Sequence, residues 1–290
     1  MRKILFFILA VLFINTAEAQ VPTLQQKLYY TTRVWGFAKY YHSNVSTCGV
    51  NWDSVLLHVL PMVRSAATDS AFNDALDTML VAAGPMALAT TTMPTITDAE
   101  LKRNLNFNWI SSPALRVEVQ TILDTIKNNF RPHNECWVMN NSYTNGYRGW
   151  LVFPHDSLEL NTYTTSTYPD DNHRQLMFMK YWNIVNYFYP YNYVLDSPWD
   201  TTLMHYAAQV DTVASAPNLF HLIDLIASNL CDDHTEGLTW SNNYYAPLGY
   251  FQPPIRLSYI QGQYVVLKSS VSGVAVGDAI ISVDGFTIPQ

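Results

Sequence analysis

Charge is scarce in this sequence: only 13% of the 290 residues are Asp, Glu, Lys or Arg, and the 16 basic residues are outnumbered by 23 acidic ones. The shortage of cations argues against nucleic acid or an anionic lipid surface as partner. With a 49% hydrophobic composition, it also argues against disorder and for one large or two medium globular domains with sizeable cores. Long apolar runs are missing too. The one run of note, Ile4 to Ile14, falls short of the roughly 20 residues needed to span a bilayer. Absent as well are G-x-S-x-G, S-x-x-K, H-E-x-x-H and any Gly-rich phosphate loop between a strand and a helix, so no nucleophile, zinc-protease or nucleotide signature is present. No cofactor and no metal are expected.

There are three cysteines, Cys48, Cys136 and Cys231. An odd number without a C-x-x-C spacing allows at most one intramolecular disulfide and gives no structural zinc motif, and the three read as small buried side chains.

The first residues have the form of a secretory signal. Arg2 and Lys3 precede the apolar run, and Ala17-Glu18-Ala19 supplies a small-x-small cleavage site. Cleavage before Gln20 removes Arg2, Lys3 and Glu18, moving the formal charge from −7 to −8. No cysteine follows the cleavage site, so no lipid anchor is expected there. The mature chain is expected to be soluble and exported, periplasmic or extracellular.

What the chain does have is an internal repeat. At an offset of 147 positions Trp35 falls on Trp182, Tyr40 on Tyr187, Trp52 on Trp199, Asp53 on Asp200, Leu56 on Leu203, His58 on His205 and Val63 on Val210, without a gap. Two tryptophan pairs at one separation identify a duplication, and the period is far too long for a solenoid. Helical spacing covers Leu24 to Tyr41, Trp52 to about Ala66 and Ser70 to Ala83, with a stop at Gly84-Pro85. The Thr-rich run from Thr90 to Thr97 reads as a loop, Asp98 as the cap of a short helix through Leu105, and Pro113 as the first turn of a long helix to Asn129.

In the second copy a helix runs from about Gln175 to Tyr189 and stops at Pro190. Lys180, Asn183 and Asn186 form a polar stripe on it, opposite Met177, Tyr181, Trp182, Val185 and Phe188, which read as core packing rather than as a ligand platform. Ser197 reads as the N-cap and Pro198 as the first position of the next helix. Asp53 and Asp200 then lie near positive helix ends and read as dipole partners rather than catalysts. A further helix covers Leu219 to Leu230.

Two stretches read as β. Short pieces at Cys136 to Met139 and Gly149 to Phe153 separate the helical units. From Leu248 onward come Leu248 to Phe251, Ile255 to Ile260, Tyr264 to Leu267 and Ala279 to Val283, with turns at Gln261-Gly262 and Asp284-Gly285. Strands begun so late leave edges without partners, so the sequence is expected to stop within a domain.

Chemistry points to one cluster, Asp232-Asp233-His234-Thr235, which follows a helix and opens a loop. His234 is a candidate general base and Asp233 a residue that could orient it, although a His beside Asp in a surface turn is also common. A metal site from Cys231, Asp233 and His234 is disfavoured, because adjacent residues rarely converge on one ion.

The segments Arg33-Val-Trp-Gly-Phe-Ala-Lys-Tyr-Tyr-His42 and Tyr181-Trp-Asn-Ile-Val-Asn-Tyr-Phe-Tyr-Pro-Tyr191, each followed by a Trp-Asp pair, resemble the N-terminal helical region of S41 serine peptidases. These are the peptidases related to tail-specific (C-terminal processing) proteases and the tricorn core. Asp232 to Thr235 resembles that family's Asp-x-His-Thr type motif, and Gly273 to Gly285 is similar to its PDZ segment, G-L-x-x-G-D-x-I-x-x-I-x-G. Ser43 departs from the pattern, which more usually has Pro there.

Residue patterns and resemblance together lead us to expect an α+β chain in several parts, the last of them PDZ-like by resemblance. A signal occupies 1–19, helical unit 1 covers 20–131, a β-rich connector 132–171, helical unit 2 172–245, and an incomplete PDZ-like domain 246–290. The resemblance implies peptide or protein substrates, engaged through a chain terminus, and a Ser-bearing domain that this sequence does not contain; the chain by itself is therefore expected to be inactive as a peptidase. A non-catalytic secreted peptide-binding protein is the alternative, and a purely structural domain a third reading.

Overall fold

The computed structural model describes residues 22–88, 97, 104–129, 136–140, 151–156, 168–232, 253–283 and 286–288. Outside them lie the signal segment, the Thr-rich run except Thr97, nearly all of the helix expected after Asp98, the Leu248 to Phe251 strand, and Asp233 and His234. The fold is α+β. Two compact units, Met1–Gly237 and Leu238–Gln290, divide the chain.

In the first unit the described helices are α1 (Leu24–Tyr41), α2 (Trp52–Ser65), α3 (Asp69–Ala82), α4 (Val117–Asn128), α5 (Asp171–Phe188), α6 (Trp199–Thr212) and α7 (Ala216–Ser228). The bounds of α1 and α2 recur 147 positions later in α5 and α6, and α7 starts at the position equivalent to the start of α3 and ends one residue short. The caps recur as well. Thr23 and Asp170 accept from the backbone two to three residues into α1 and α5, and Thr68 and Ser215 do so for α3 and α7.

Within each copy two tryptophans hold helix to helix. The Trp35 indole donates to the Trp52 carbonyl (3.1 Å) and the Trp52 indole to the Trp35 carbonyl (2.9 Å); Trp182 and Trp199 repeat the exchange at 3.3 and 3.1 Å. Both indole donors of each pair are thereby satisfied in the core, where an unpaired N–H would cost about 1–3 kcal/mol. The sequence pattern Trp-x16-Trp is therefore a packing device made twice.

The copies meet about an approximate two-fold relation, visible because their contacts are reciprocal. Arg33 on α1 pairs with Asp200 on α6, and the equivalent Lys180 on α5 pairs with Asp53 on α2 (2.6 Å). Tyr40 packs on Phe188 (5.0 Å between centroids) and Tyr41 on Tyr187 (5.8 Å). Three equivalent pairs sit on the relation itself and touch each other: Tyr40 with Tyr187 (5.2 Å), Gly36 with Asn183, and Arg64 with Asp211. Asn183 Nδ2 donates to the carbonyls of Met179 (2.8 Å) and Thr32 (3.1 Å), which are again equivalent positions.

This geometry corrects several sequence expectations. Lys180 and Asn183 are buried, not part of a polar outer stripe, because they face the opposite copy and its carboxylate and carbonyl partners. Asp53 and Asp200 lie in first helical turns and, beyond that, form ion pairs between the copies. Helix α4 starts at Val117, not Pro113: the Asn73 side chain accepts from Arg116 N–H (2.8 Å) and donates to Ala114 O (3.2 Å), holding those residues out of the helix. Pro198, not Ser197, is the residue before α6, and no side chain caps it. Cys48 and Cys136 are not independent small core residues, since they form a disulfide (Cα–Cα 6.1 Å), and Cys231 is exposed.

The connector contributes β1 (Met139–Asn140) and β2 (Leu151–Val152), paired antiparallel. The second unit holds β3 (Ile255–Ile260), β4 (Gln263–Ser269) and β5 (Ala279–Ile280) in an antiparallel sheet of that order, and a small β6 (Ser282–Val283) to β7 (Phe286–Thr287) hairpin. Gln261 and Gly262, both at positive φ (51° and 85°), make the tight turn that twisted hairpins favour. Val266 is the buried side chain among the described residues of this unit, whereas Leu257, Tyr259, Tyr264 and Leu267 are exposed.

Candidate functional site

Helix α7 ends at Ser228, and the chain turns sharply at Cys231, whose φ is +48°. Leu230 just before it is buried and anchors the turn. The next residue, Asp232, accepts the hydroxyl proton of Tyr189 at 3.2 Å. Tyr189 stands at the end of α5, and its own carbonyl and that of Pro190 accept from the Asn104 amide (3.3 and 3.1 Å). Asn192 ties the following turn back to Val185 O (2.9 Å) and Asn186 O (3.1 Å).

Desolvation, and after it the Asp232 carboxylate, raise the Tyr189 hydroxyl above its usual pKa, so it stays a donor through the neutral range. The aromatic stretch that ends α5 thus holds the start of the Asp-Asp-His-Thr motif. Asp233 and His234 themselves lie outside the described residues.

A second group of charged residues joins Lys180 and Asp53, which the sequence reading named separately, to Lys39 and Asp156, to which it gave no role. Lys39, 0% exposed, donates to Asp156 (2.6 Å), and Lys180 reaches Asp53 (2.6 Å) and Asp156 (3.7 Å). Lys39 is also stacked against the Trp137 ring (4.5 Å) and the Trp35 ring (4.9 Å). Burial lowers the Lys39 pKa, partly opposed by Asp156; burial, then Asp156, raises the Tyr40 hydroxyl well above its usual value. Two cations and two carboxylates, all buried except a partly buried Asp53, suit a structural lock better than a reaction centre, which needs access. A signal for it existed: with charge so scarce, a lysine between Ala38 and Tyr40 and another between Met179 and Tyr181 lie inside apolar runs, where only paired ions are tolerated. Asp156 had no such signal.

A shallow groove of about 700 Å³ runs between α1 and α6, lined by Tyr29, Tyr30, Asp200, His205 and Tyr206 among others. Arg33 partly neutralises it by pairing with Asp200 and stacking under Tyr29 at 5.0 Å.

Comparison of the chain with protein-family models, curated proteins and solved structures finds no match in any of the three. None of the described helices is long and apolar enough to cross a membrane.

Proposed function

We propose that this chain is the scaffold and peptide-recognition part of an exported S41-type serine peptidase. It would work with a Ser-bearing domain, with His234 as general base and Asp233 as the residue that orients it. The observation that carries the reading is the Tyr189 to Asp232 hydrogen bond. It fastens the entry to the motif onto the duplicated helical body, and a base must be held on a rigid element if it is to meet a nucleophile within about 3 Å. The Cys48–Cys136 disulfide supports export to an oxidising compartment. The exposed apolar side chains of β3 and β4 support a PDZ-like module that contacts further polypeptide.

The test is to express the chain joined to the Ser-bearing α/β domain that the reading places in the adjoining reading frame, and to assay hydrolysis of unfolded polypeptides. His234→Ala should lower turnover about 10²–10⁴-fold with folding intact. Absence of any such domain from the adjoining DNA, or unchanged turnover in the variant, rejects the proposal.

A second reading has its own observation. Among the described residues strand β3 is an outer strand of the β3-β4-β5 sheet, and an edge of that kind is where an extended peptide would add, as a non-catalytic binding protein would require. Calorimetry with peptides bearing a free C-terminus should then give heat of binding from the isolated chain. A diverse peptide set that gives none removes this reading.

A further inference from the structure

The disulfide lies beside a third metal-binding side chain. The sulfurs of Cys48 and Cys136 and a ring nitrogen of His155 all lie within 4.8 Å of one another. Each of the three is held in place by contacts that do not involve sulfur.

Cys48 ends a turn in which Ser46 N–H donates to His42 O (2.8 Å), Cys48 N–H to Val45 O (3.0 Å) and Gly49 N–H to Asn44 O (2.9 Å). The Asn44 amide fastens this turn to Ala83 O at 2.7 Å. These bonds keep Cys48 in the left-handed region, at φ +58°. Cys136 is positioned by its neighbour Trp137, which is buried and donates its indole N–H to Val45 O at 2.7 Å. His155 stands edge-on to the Trp137 ring (5.6 Å between centroids) and precedes Asp156, which Lys39 holds at 2.6 Å.

We infer that these three residues form a redox-gated site for a thiophilic d-block cation of the zinc(II) class. In the disulfide form each sulfur is bound to the other and is a poor ligand. Reduction by a phosphine breaks the S–S bond and leaves two thiols, while the phosphine takes up an oxygen atom from water. The cation then displaces one proton from each thiol and forms two metal–sulfur bonds, and neutral His155 adds one metal–nitrogen bond. Two thiolates cancel the dipositive charge, and water completes four-coordination.

The distances suit this. Bonds of about 2.3 Å to sulfur and 2.0–2.1 Å to nitrogen place tetrahedral ligand atoms roughly 3.5–3.8 Å apart, a spacing the present 4.8 Å cluster encloses. Access also suits it: His155 is exposed and both cysteines are part-exposed, so the cation has an entry path. Because the turn and Trp137 hold the backbone, reduction need not scatter the ligands.

The test uses the full chain carrying Cys231→Ser, which removes the third thiol. The protein is reduced with a phosphine, freed of reductant, and titrated with cobalt(II) as a spectroscopic stand-in for zinc. The expected result is one equivalent bound, with sulfur-to-metal charge-transfer absorption that zinc(II) bleaches and that is absent before reduction. His155→Ala should weaken binding by at least about tenfold. Far-UV and near-UV dichroism of the same samples show that the fold is retained. Two titratable thiols with native dichroism and no charge-transfer band overturn the inference, and so does an unchanged affinity in His155→Ala.

Discussion

The two helical copies agree in their framework and disagree on their shared axis. The helix bounds, but for one residue at the end of α7, the caps of the first and third helix of each copy, and the reciprocal tryptophan exchange recur in both. Of the three equivalent pairs that touch, Tyr40 and Tyr187 are alike, but the other two differ: Gly36 meets Asn183 and Arg64 meets Asp211. Two separate identical copies could not do this. Position 64 would set Arg against Arg, and position 36 would leave either a gap between glycines or an overlap of two amides. Joining the copies in one chain permits the axis to be filled by unlike, complementary partners.

The framework half of that comparison is broken most severely at a tryptophan. Trp52→Ala should cost about 3–5 kcal/mol through the lost packing and the lost indole hydrogen bond to the Trp35 carbonyl. Trp199→Ala should cost a similar amount, measured by urea unfolding. A marked inequality between the two would mean that the copies do not share the load.

The axis half is probed at Gly36, where a Cβ would overlap the Asn183 amide. Gly36→Ala should destabilise by about 1–3 kcal/mol, and adding Asn183→Ala should recover part of the loss because space is restored. Additive losses in the double variant would show that the close approach is not what matters there.

A gentler test exchanges the charges of the Arg64–Asp211 pair, whose bidentate bonds are both 2.8 Å. Arg64→Asp alone should cost about 2 kcal/mol, since it also faces Asp171. The double exchange with Asp211→Arg should return to within about 1 kcal/mol of the parent.

The smallest effect at neutral pH belongs to Tyr181, which occupies the place of Val34 in the first copy. Desolvation pushes its hydroxyl up to about 12. The folded state thus keeps a proton that the unfolded state releases near 10, so stability is intact below pH 10 and falls as pH rises toward 12. Tyr181→Phe should remove up to about 2–3 kcal/mol of that alkaline loss while leaving the neutral-pH value nearly unchanged. An identical alkaline profile in the variant would assign the loss to the other buried tyrosines.

The duplicated framework was readable in the sequence because helical periodicity and tryptophan spacing are local properties. Strand β3 and the Gln261-Gly262 turn were readable for the same reason. The axis was not readable. That Lys180 and Asn183 turn inward depends on carbonyls and carboxylates more than a hundred positions away in the chain. The start of α4 was misplaced on similar grounds, since the Asn73 side chain overrules the proline signal. The disulfide could not be assigned because 88 residues separate its cysteines, and sequence fixes no distance over that span. His234 and Asp233 were legible only through a resemblance, and the structure describes the ground on which they stand, up to Asp232.

Asp156 carries one last consequence. It belongs to the connector, yet its carboxylate serves a lysine from each copy, Lys39 at 2.6 Å and Lys180 at 3.7 Å. During synthesis the first copy emerges before it and the second after it. Lys39 can therefore be neutralised early, by a residue made before the second copy exists, whereas Lys180 arrives to find Asp53 and Asp156 already waiting. The order of residues along the chain thus puts both carboxylates that Lys180 meets ahead of it, and the one that Lys39 meets ahead of the second copy.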